Sequence, residues 1–95
     1  MVSKETYLIA YDIADDKKRA KIMSALLAYG NRVQYSVFEV VLTDSQLKHL
    51  VNFFKEEINP KRDSIRIYKI GEETIKKAKR YGNPITLGIL YDVYI

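Results

Sequence analysis

The sequence predicts a single small α+β domain in which two helices lie on one antiparallel sheet, and three observations predict it. Period-two hydrophobic patterns recur over Thr6 to Ile13, Asn31 to Leu42 and Ser64 to Ile70. Two segments of helical period, each with its own start signal, fill the intervals between them. The 95 residues carry no linker or low-complexity tract, so they make up one domain.

In the first strand Tyr7, Ile9, Tyr11 and Ile13 alternate with Leu8, Ala10 and Asp12, so both faces are apolar until Asp12. A strand apolar on both faces is covered on both. Asp15 and Asp16 then open a helix, their charges complementing the positive end of its dipole, and Gly30 closes it at a position that favours a left-handed residue. Met23, Leu26 and Leu27 are its expected buried stripe, with Lys17, Lys18 and Lys21 mostly on the wet side.

From Asn31 to Leu42 the chain is extended, with Val33, Tyr35, Val37 and Val41 on one face and Phe38, Val40 and Leu42 on the other. No Gly, Pro, Asn or Asp interrupts Arg32 to Leu42, so the pattern fits either one bent strand or a very tight hairpin. Thr43 followed by Gln46 is a capping-box signature, and Leu47, Leu50, Val51, Phe54 and Ile58 recur at helical spacing behind it. Asn59 and Pro60 end this second helix. Ile65 and Ile67 then alternate against Arg66 and Tyr68, and a last strand is expected from Ile85 to Ile95. Between them, Lys76, Lys77, Lys79 and Arg80 surround Ile75 and Ala78 as a short basic amphipathic turn or helix, expected to be a solvated face.

Composition narrows the function classes. A domain of this length buries only about 60 to 65% of its unfolded surface. With 47% apolar residues, it holds more hydrophobic material than one sheet face and two helix stripes use. A second burial surface is therefore expected, and a dimer interface would supply it. Cysteine is absent, which excludes a disulfide framework and a thiolate metal site. No apolar run approaches the roughly 18 residues of a membrane span, and the N-terminus lacks a signal-peptide pattern, so no membrane partner is expected and the location is read as cytoplasmic. The formal charge of +4 favours polyanions without requiring them.

Asp12 is the most informative single residue, because a carboxylate ending an apolar strand must be solvated, cap the next turn or bind something. A hard divalent cation such as magnesium would use it, but one carboxylate is too few for a dedicated site. Two copies meeting on a twofold axis would supply the pair. Arg19, one helical turn into the following segment, and Arg32, at the start of the second extended stretch, suit phosphate recognition, although solvated arginines are commoner. Tyr7, Tyr35 and Tyr68 fall at alternating strand positions where core packing accounts for them. His49, the only histidine, sits on the wet face of the second helix, and no phosphate-binding loop, dinucleotide fingerprint or HExxH motif is present.

The order of these pieces resembles the small CRISPR-associated family called Cas-two, over nearly the whole chain. The residues that carry the likeness are the strand Tyr7 to Ile13 ending in Tyr11 and Asp12, the helix opening Asp15 to Arg19, the segment Arg32, Val33, Gln34, Tyr35, Ser36, Val37, Phe38, Glu39, and the strand Asp63 to Tyr68. The resemblance implies a ferredoxin-like βαββαβ fold, hence two short strands between Asn31 and Leu42. It also implies a homodimer through the sheet faces, with Ile85 to Ile95 completing the partner's sheet. By the same likeness Asp12 is the metal-binding catalytic carboxylate, and Tyr11, Arg19, Arg32 and Phe38 shape the site or contact substrate.

The implied activity is magnesium-dependent endonuclease cleavage of RNA or double-stranded DNA in CRISPR adaptation and antiviral defence, with the Cas-one integrase as partner. The alternative within the family is a non-catalytic adaptor that bridges Cas-one dimers and binds duplex DNA. An RNA-recognition module of the same fold would need a basic, glycine and aromatic motif on a central strand, which Ser64 to Ile70 does not match. A ligand-binding regulatory domain would leave the RVQYSVFE stretch unexplained.

Overall fold

A computed structural model describes residues 3–79 and 81. The chain runs β1 (Lys4–Asp12), α1 (Asp16–Leu27), β2 (Gly30–Gln34), β3 (Val37–Thr43), α2 (Asp44–Glu57), β4 (Ser64–Ile70) and α3 (Glu72–Lys77). The strands form one antiparallel sheet in the order β2-β3-β1-β4. With α1 and α2 packed on one face, this is the ferredoxin-like arrangement. The expected strand from Ile85 to Ile95 lies outside the described residues, as do Arg80 and 82–84 of the basic stretch. No helix among the described residues is long and apolar enough to cross a membrane.

Asn31 to Leu42 forms a hairpin rather than a bent strand. Tyr35 and Ser36 make its two-residue turn, with Gln34 opposite Val37 and a register shift between Arg32 and Gln34. That bulge breaks the strict alternation, so the pattern does not continue through β2. Arg32 lies opposite Phe38 on the helix side, whereas the alternation grouped Val33 and Tyr35 with Val37. Bulges add a residue to one strand and re-aim its side chains.

The helices start as their capping signals require. The Asp15 side chain accepts the Lys18 N–H at 2.9 Å, making Asp15 the N-cap of α1. In α2, Thr43 and Gln46 form both hydrogen bonds of the capping box, at 2.9 and 3.1 Å.

The end of α1 departs from expectation. The helix stops at Leu27, with Ala28 as C-cap in right-handed geometry, and Gly30 instead begins β2. Gly30 is needed there for close approach: a Cβ on it would meet the Glu39 carbonyl oxygen at 1.8 Å. The buried stripe of α1 is also shifted. Ile22 and Leu26 are buried and Met23 packs partly against them, but Leu27 is 53% exposed.

The core lies between the helices and one face of the sheet. Tyr7, Ile9 and Tyr11 of β1 and Phe38, Val40 and Leu42 of β3 meet Ile22 and Leu26 of α1 and Leu50 and Phe54 of α2. Each such side chain contributes roughly 1.5–3 kcal/mol by leaving water. The opposite face carries Thr6, Leu8, Ala10 and Asp12 of β1, beside Val37, Glu39 and Val41 of β3 and Arg66, Tyr68 and Ile70 of β4. Core packing accounts for Tyr7 but not for Tyr68, which is 47% exposed on that second face, nor for Tyr35, which is 76% exposed at the hairpin turn.

Candidate active site

Asp12 is the last residue of β1 and is exposed, on the sheet face away from the helices. The capping duty that could have explained it belongs to Asp15, three residues on. Its carboxylate makes no hydrogen bond or ion pair with another described residue. Across the ladder it faces Ser64, the first residue of β4.

The loop that follows Asp12 is held from two sides. Arg19 Nη1 donates to the Ile13 carbonyl at 2.8 Å and to the Ala14 carbonyl at 3.4 Å, while its other terminal nitrogen pairs with the Asp16 carboxylate. From the other side, Asp63 Oδ1 accepts the Ala14 N–H at 3.3 Å and Oδ2 accepts the Asn59 N–H at 2.9 Å. The Asn59 hydrogen bond is the largest of the influences holding the Asp63 carboxyl below its ordinary pKa, with the Ala14 hydrogen bond and the Lys18 and Arg62 charges acting in the same direction. One aspartate thus ties the exit of β1 to the entry of β4, a link across 49 positions of sequence that periodicity does not reveal.

Tyr11 points the other way, into the core, because successive strand residues face opposite sides. Its ring stacks on Phe38 with centroids 6.2 Å apart. Its backbone N–H donates to the Ser36 carbonyl at 3.0 Å, and its hydroxyl donates to the Tyr35 carbonyl in a long bond of 3.5 Å. Burial raises the Tyr11 pKa, against a lowering pull from the Arg32 and Arg19 charges. The phenol therefore stays protonated at neutral pH and acts as a donor.

Arg32 and Arg19 line one cleft of about 390 Å³ on the helix side, together with Tyr11, Met23, Tyr35 and Ser36. The Arg32 guanidinium lies 5.6 Å from the centre of the Tyr35 ring and donates to Met23 Sδ at 3.2 Å. Phe38 is fully buried beneath Tyr11, so it shapes this cleft from below and cannot touch a substrate.

The five residues singled out from the sequence thus fall into two groups within one chain. Tyr11, Arg19, Arg32 and Phe38 assemble on the helix side, and Asp12 stands apart on the open face. Tyr35, which the alternation assigned to core packing, belongs to this neighbourhood too, as do Asp63 and Ser36, which were not named as site residues. The motifs containing them were visible, but their contacts arise only when distant strands pair.

No group of three His, Cys, Asp or Glu side chains gathers to hold a metal ion among the described residues. Asp12 is a single exposed carboxylate, which fits magnesium only where water, phosphate or a second copy of the chain completes the coordination.

Comparison with known proteins agrees with this architecture. A family model described as CRISPR associated protein Cas2 matches residues 5–78. A CRISPR-associated endoribonuclease Cas2 of Chloroflexus aurantiacus is 40% identical over 83% of this chain and 85% of its own length. One from Thermus thermophilus is 38% identical over 84% and 86%. Among solved structures, a hypothetical protein from Thermus thermophilus superposes with a TM-score of 0.78 at 34% identity, covering 90% of this chain and 99% of that one. Streptococcus pyogenes Cas2 at pH 6.5 gives 0.72 at 28%, covering 81% and 99%. A chain from a partial Cas6-RT-Cas1–Cas2 complex gives 0.54 at 34%, covering 78% and 87%. The strand order, the hairpin, the placement of Asp12 and these matches lead to one conclusion: the chain belongs to the CRISPR-associated Cas2 family.

Proposed function

We propose that this protein is a magnesium-dependent endonuclease of CRISPR adaptation, cleaving phosphodiester bonds of RNA or double-stranded DNA at Asp12 residues paired in a homodimer. The observation that carries the proposal is the Asp12 carboxylate, exposed at the end of β1 with no side-chain partner among the described residues, while Asp15 caps the following helix. The relatives named endoribonucleases support the activity.

Asp12 would hold the ion, with water and the substrate phosphate as further ligands. Magnesium, when bound, polarises the phosphoryl oxygen and makes water a better nucleophile near neutral pH. The chain's own contribution is orientation. Arg19 and Asp63 fix the loop behind Asp12, so the carboxylate is presented without a rearrangement. Arg32 would offset substrate charge rather than reach the scissile bond, since it lies on the other side of the sheet.

A second copy is proposed to dock on the open face, where Leu8, Val41, Tyr68 and Ile70 offer apolar surface next to Asp12. That arrangement would supply both the burial surface that the composition calls for and the second carboxylate. The setting would be the cytoplasm.

The test is cleavage of labelled RNA and duplex DNA, with and without magnesium, by the wild type and Asp12→Asn. The expected result is cleavage that needs magnesium and disappears in the variant while the dimer persists. Undiminished cleavage by the variant overturns the proposal.

The second reading is an adaptor that joins Cas1, the integrase the resemblance implies, without cutting. It is favoured by the structural likeness to a chain of a Cas1–Cas2 complex and by the single carboxylate that each copy offers. Copurification with Cas1, together with spacer acquisition that survives Asp12→Asn, would establish this reading over the first.

A further inference from the structure

The tip of the β2–β3 hairpin carries an aromatic side chain that folding does not explain. A two-residue turn is best served by Gly, Asn or Asp, which relax the backbone. Here the turn holds Tyr35, with 76% of its surface exposed, so its ring contributes little to the core. The turn itself is anchored: the Tyr11 N–H donates to the Ser36 carbonyl at 3.0 Å, and the Tyr11 hydroxyl reaches the Tyr35 carbonyl. An exposed ring therefore stands on a fixed support.

Arg32 is held against that ring. Its guanidinium lies 5.6 Å from the ring centre and is steered by Met23 Sδ at 3.2 Å, with no carboxylate partner among the described residues. The one acidic residue lining the cleft, Asp16, is already paired with Arg19. The cleft is thus left with an uncompensated cation directly beside an exposed aromatic face. That juxtaposition matches a nucleotide, which carries a phosphate charge and a flat base a short distance apart. An unpaired base offers its flat face to a side chain without unstacking, whereas inside a duplex both faces of a base are covered by neighbours.

We propose that Tyr35 and Arg32 form a subsite on the helix side of the sheet that holds one unpaired nucleotide, its base stacked on the Tyr35 ring and its phosphate on the Arg32 guanidinium. The subsite rests on the reading that this protein binds nucleic acid, and it deepens that reading by assigning Tyr35, at the hairpin tip, as the residue that holds an unpaired base. It stands apart from Asp12, which faces the opposite side of β1.

The test is fluorescence anisotropy of a short labelled single-stranded RNA, the DNA of the same sequence and the blunt duplex, all in EDTA so that no cleavage intervenes. Tyr35→Ala is expected to weaken binding of both single strands roughly tenfold while duplex binding stays unchanged. Tyr35→Phe should bind like the wild type, because stacking needs the ring and not the hydroxyl. Arg32→Gln should lower the salt dependence of single-strand binding by about 0.7 in the log–log slope, the loss of one phosphate contact.

Thermal melting should leave Tyr35→Ala at the wild-type midpoint, since the ring is exposed. The proposal is overturned if Tyr35→Ala weakens all three ligands alike, if it weakens none, or if Tyr35→Phe behaves as the alanine variant does. Because no metal is present, these outcomes are independent of the Asp12→Asn cleavage test, and either reading can fail alone.

Discussion

Tyr11 and Asp12 are neighbours in sequence and occupy different environments. Tyr11 lies under the helices, stacked on Phe38 and bonded to the hairpin turn. Asp12 lies on the open face without a described partner. One residue of strand pleat separates a side chain committed to packing from one left exposed. The contrast teaches that residues grouped by sequence around a strand end are not a single constellation: in this chain the helix side builds and braces, and the open face presents.

The sharpest way to break this comparison is at the two residues themselves. Asp12→Asn should reduce cleavage by about a hundredfold or more, a loss of several kcal/mol in transition-state stabilisation. Its unfolding free energy should stay within about 0.5 kcal/mol of the wild type. Kinetics and urea denaturation on one preparation measure both, and a large stability loss would show that Asp12 has a structural duty after all.

On the braced side, Phe38→Ala should cost about 3–5 kcal/mol, because Phe38 is fully buried and its removal leaves a cavity beneath Tyr11. Chemical denaturation would show this as a lowered midpoint at an unchanged slope.

Smaller effects test the bracing elements. Gly30→Ala should destabilise by about 1–3 kcal/mol, since the added methyl would meet the Glu39 carbonyl and push β2 from β3. Calorimetry would register it as a lowered melting temperature. Thr43→Ala removes one half of the capping box and should cost about 1 kcal/mol, read from the same melts.

The smallest effect depends on pH. The folded pKa of Asp63 lies below its ordinary value of 3.8. A depressed carboxyl contributes stability at pH values above its unfolded pKa, and that contribution is lost as the pH falls through the folded value. Asp63→Asn should therefore melt below the wild type at neutral pH, with the gap narrowing as the pH drops beneath 3.8. A gap that is constant with pH would show that the carboxylate charge is not what ties Ala14 to Asn59.

Much of the fold was legible because it rests on local chemistry. The Thr43 and Gln46 capping box, the Asp15 start of α1 and the period of β1 and β4 involve residues within four positions of one another. The misread positions are those whose partners lie far along the chain. Gly30 has the sequence signature of a helix end, yet it is required by the Glu39 carbonyl of the neighbouring strand. Leu27 fits a helical stripe as well as Ile22 does, but in the packed structure Ile22 is buried and Leu27 is exposed. Tyr35 continued an alternating pattern that the bulge and turn interrupt.

The sequence by itself determined an α+β domain, the starts of both long helices, the strand ending in Asp12 and the family to which the chain belongs. These follow from hydrophobic period, side-chain capping and motif order, all of which act over a few residues. Tertiary structure alone decided that Asp12 faces away from Arg19, Arg32, Tyr11 and Phe38, that Asp63 clamps the loop behind it, and that Tyr35 stands exposed beside Arg32. The physical reason is that strand pairing sets register and face across dozens of intervening residues, and no local preference encodes which distant carbonyl, ring or guanidinium will lie opposite.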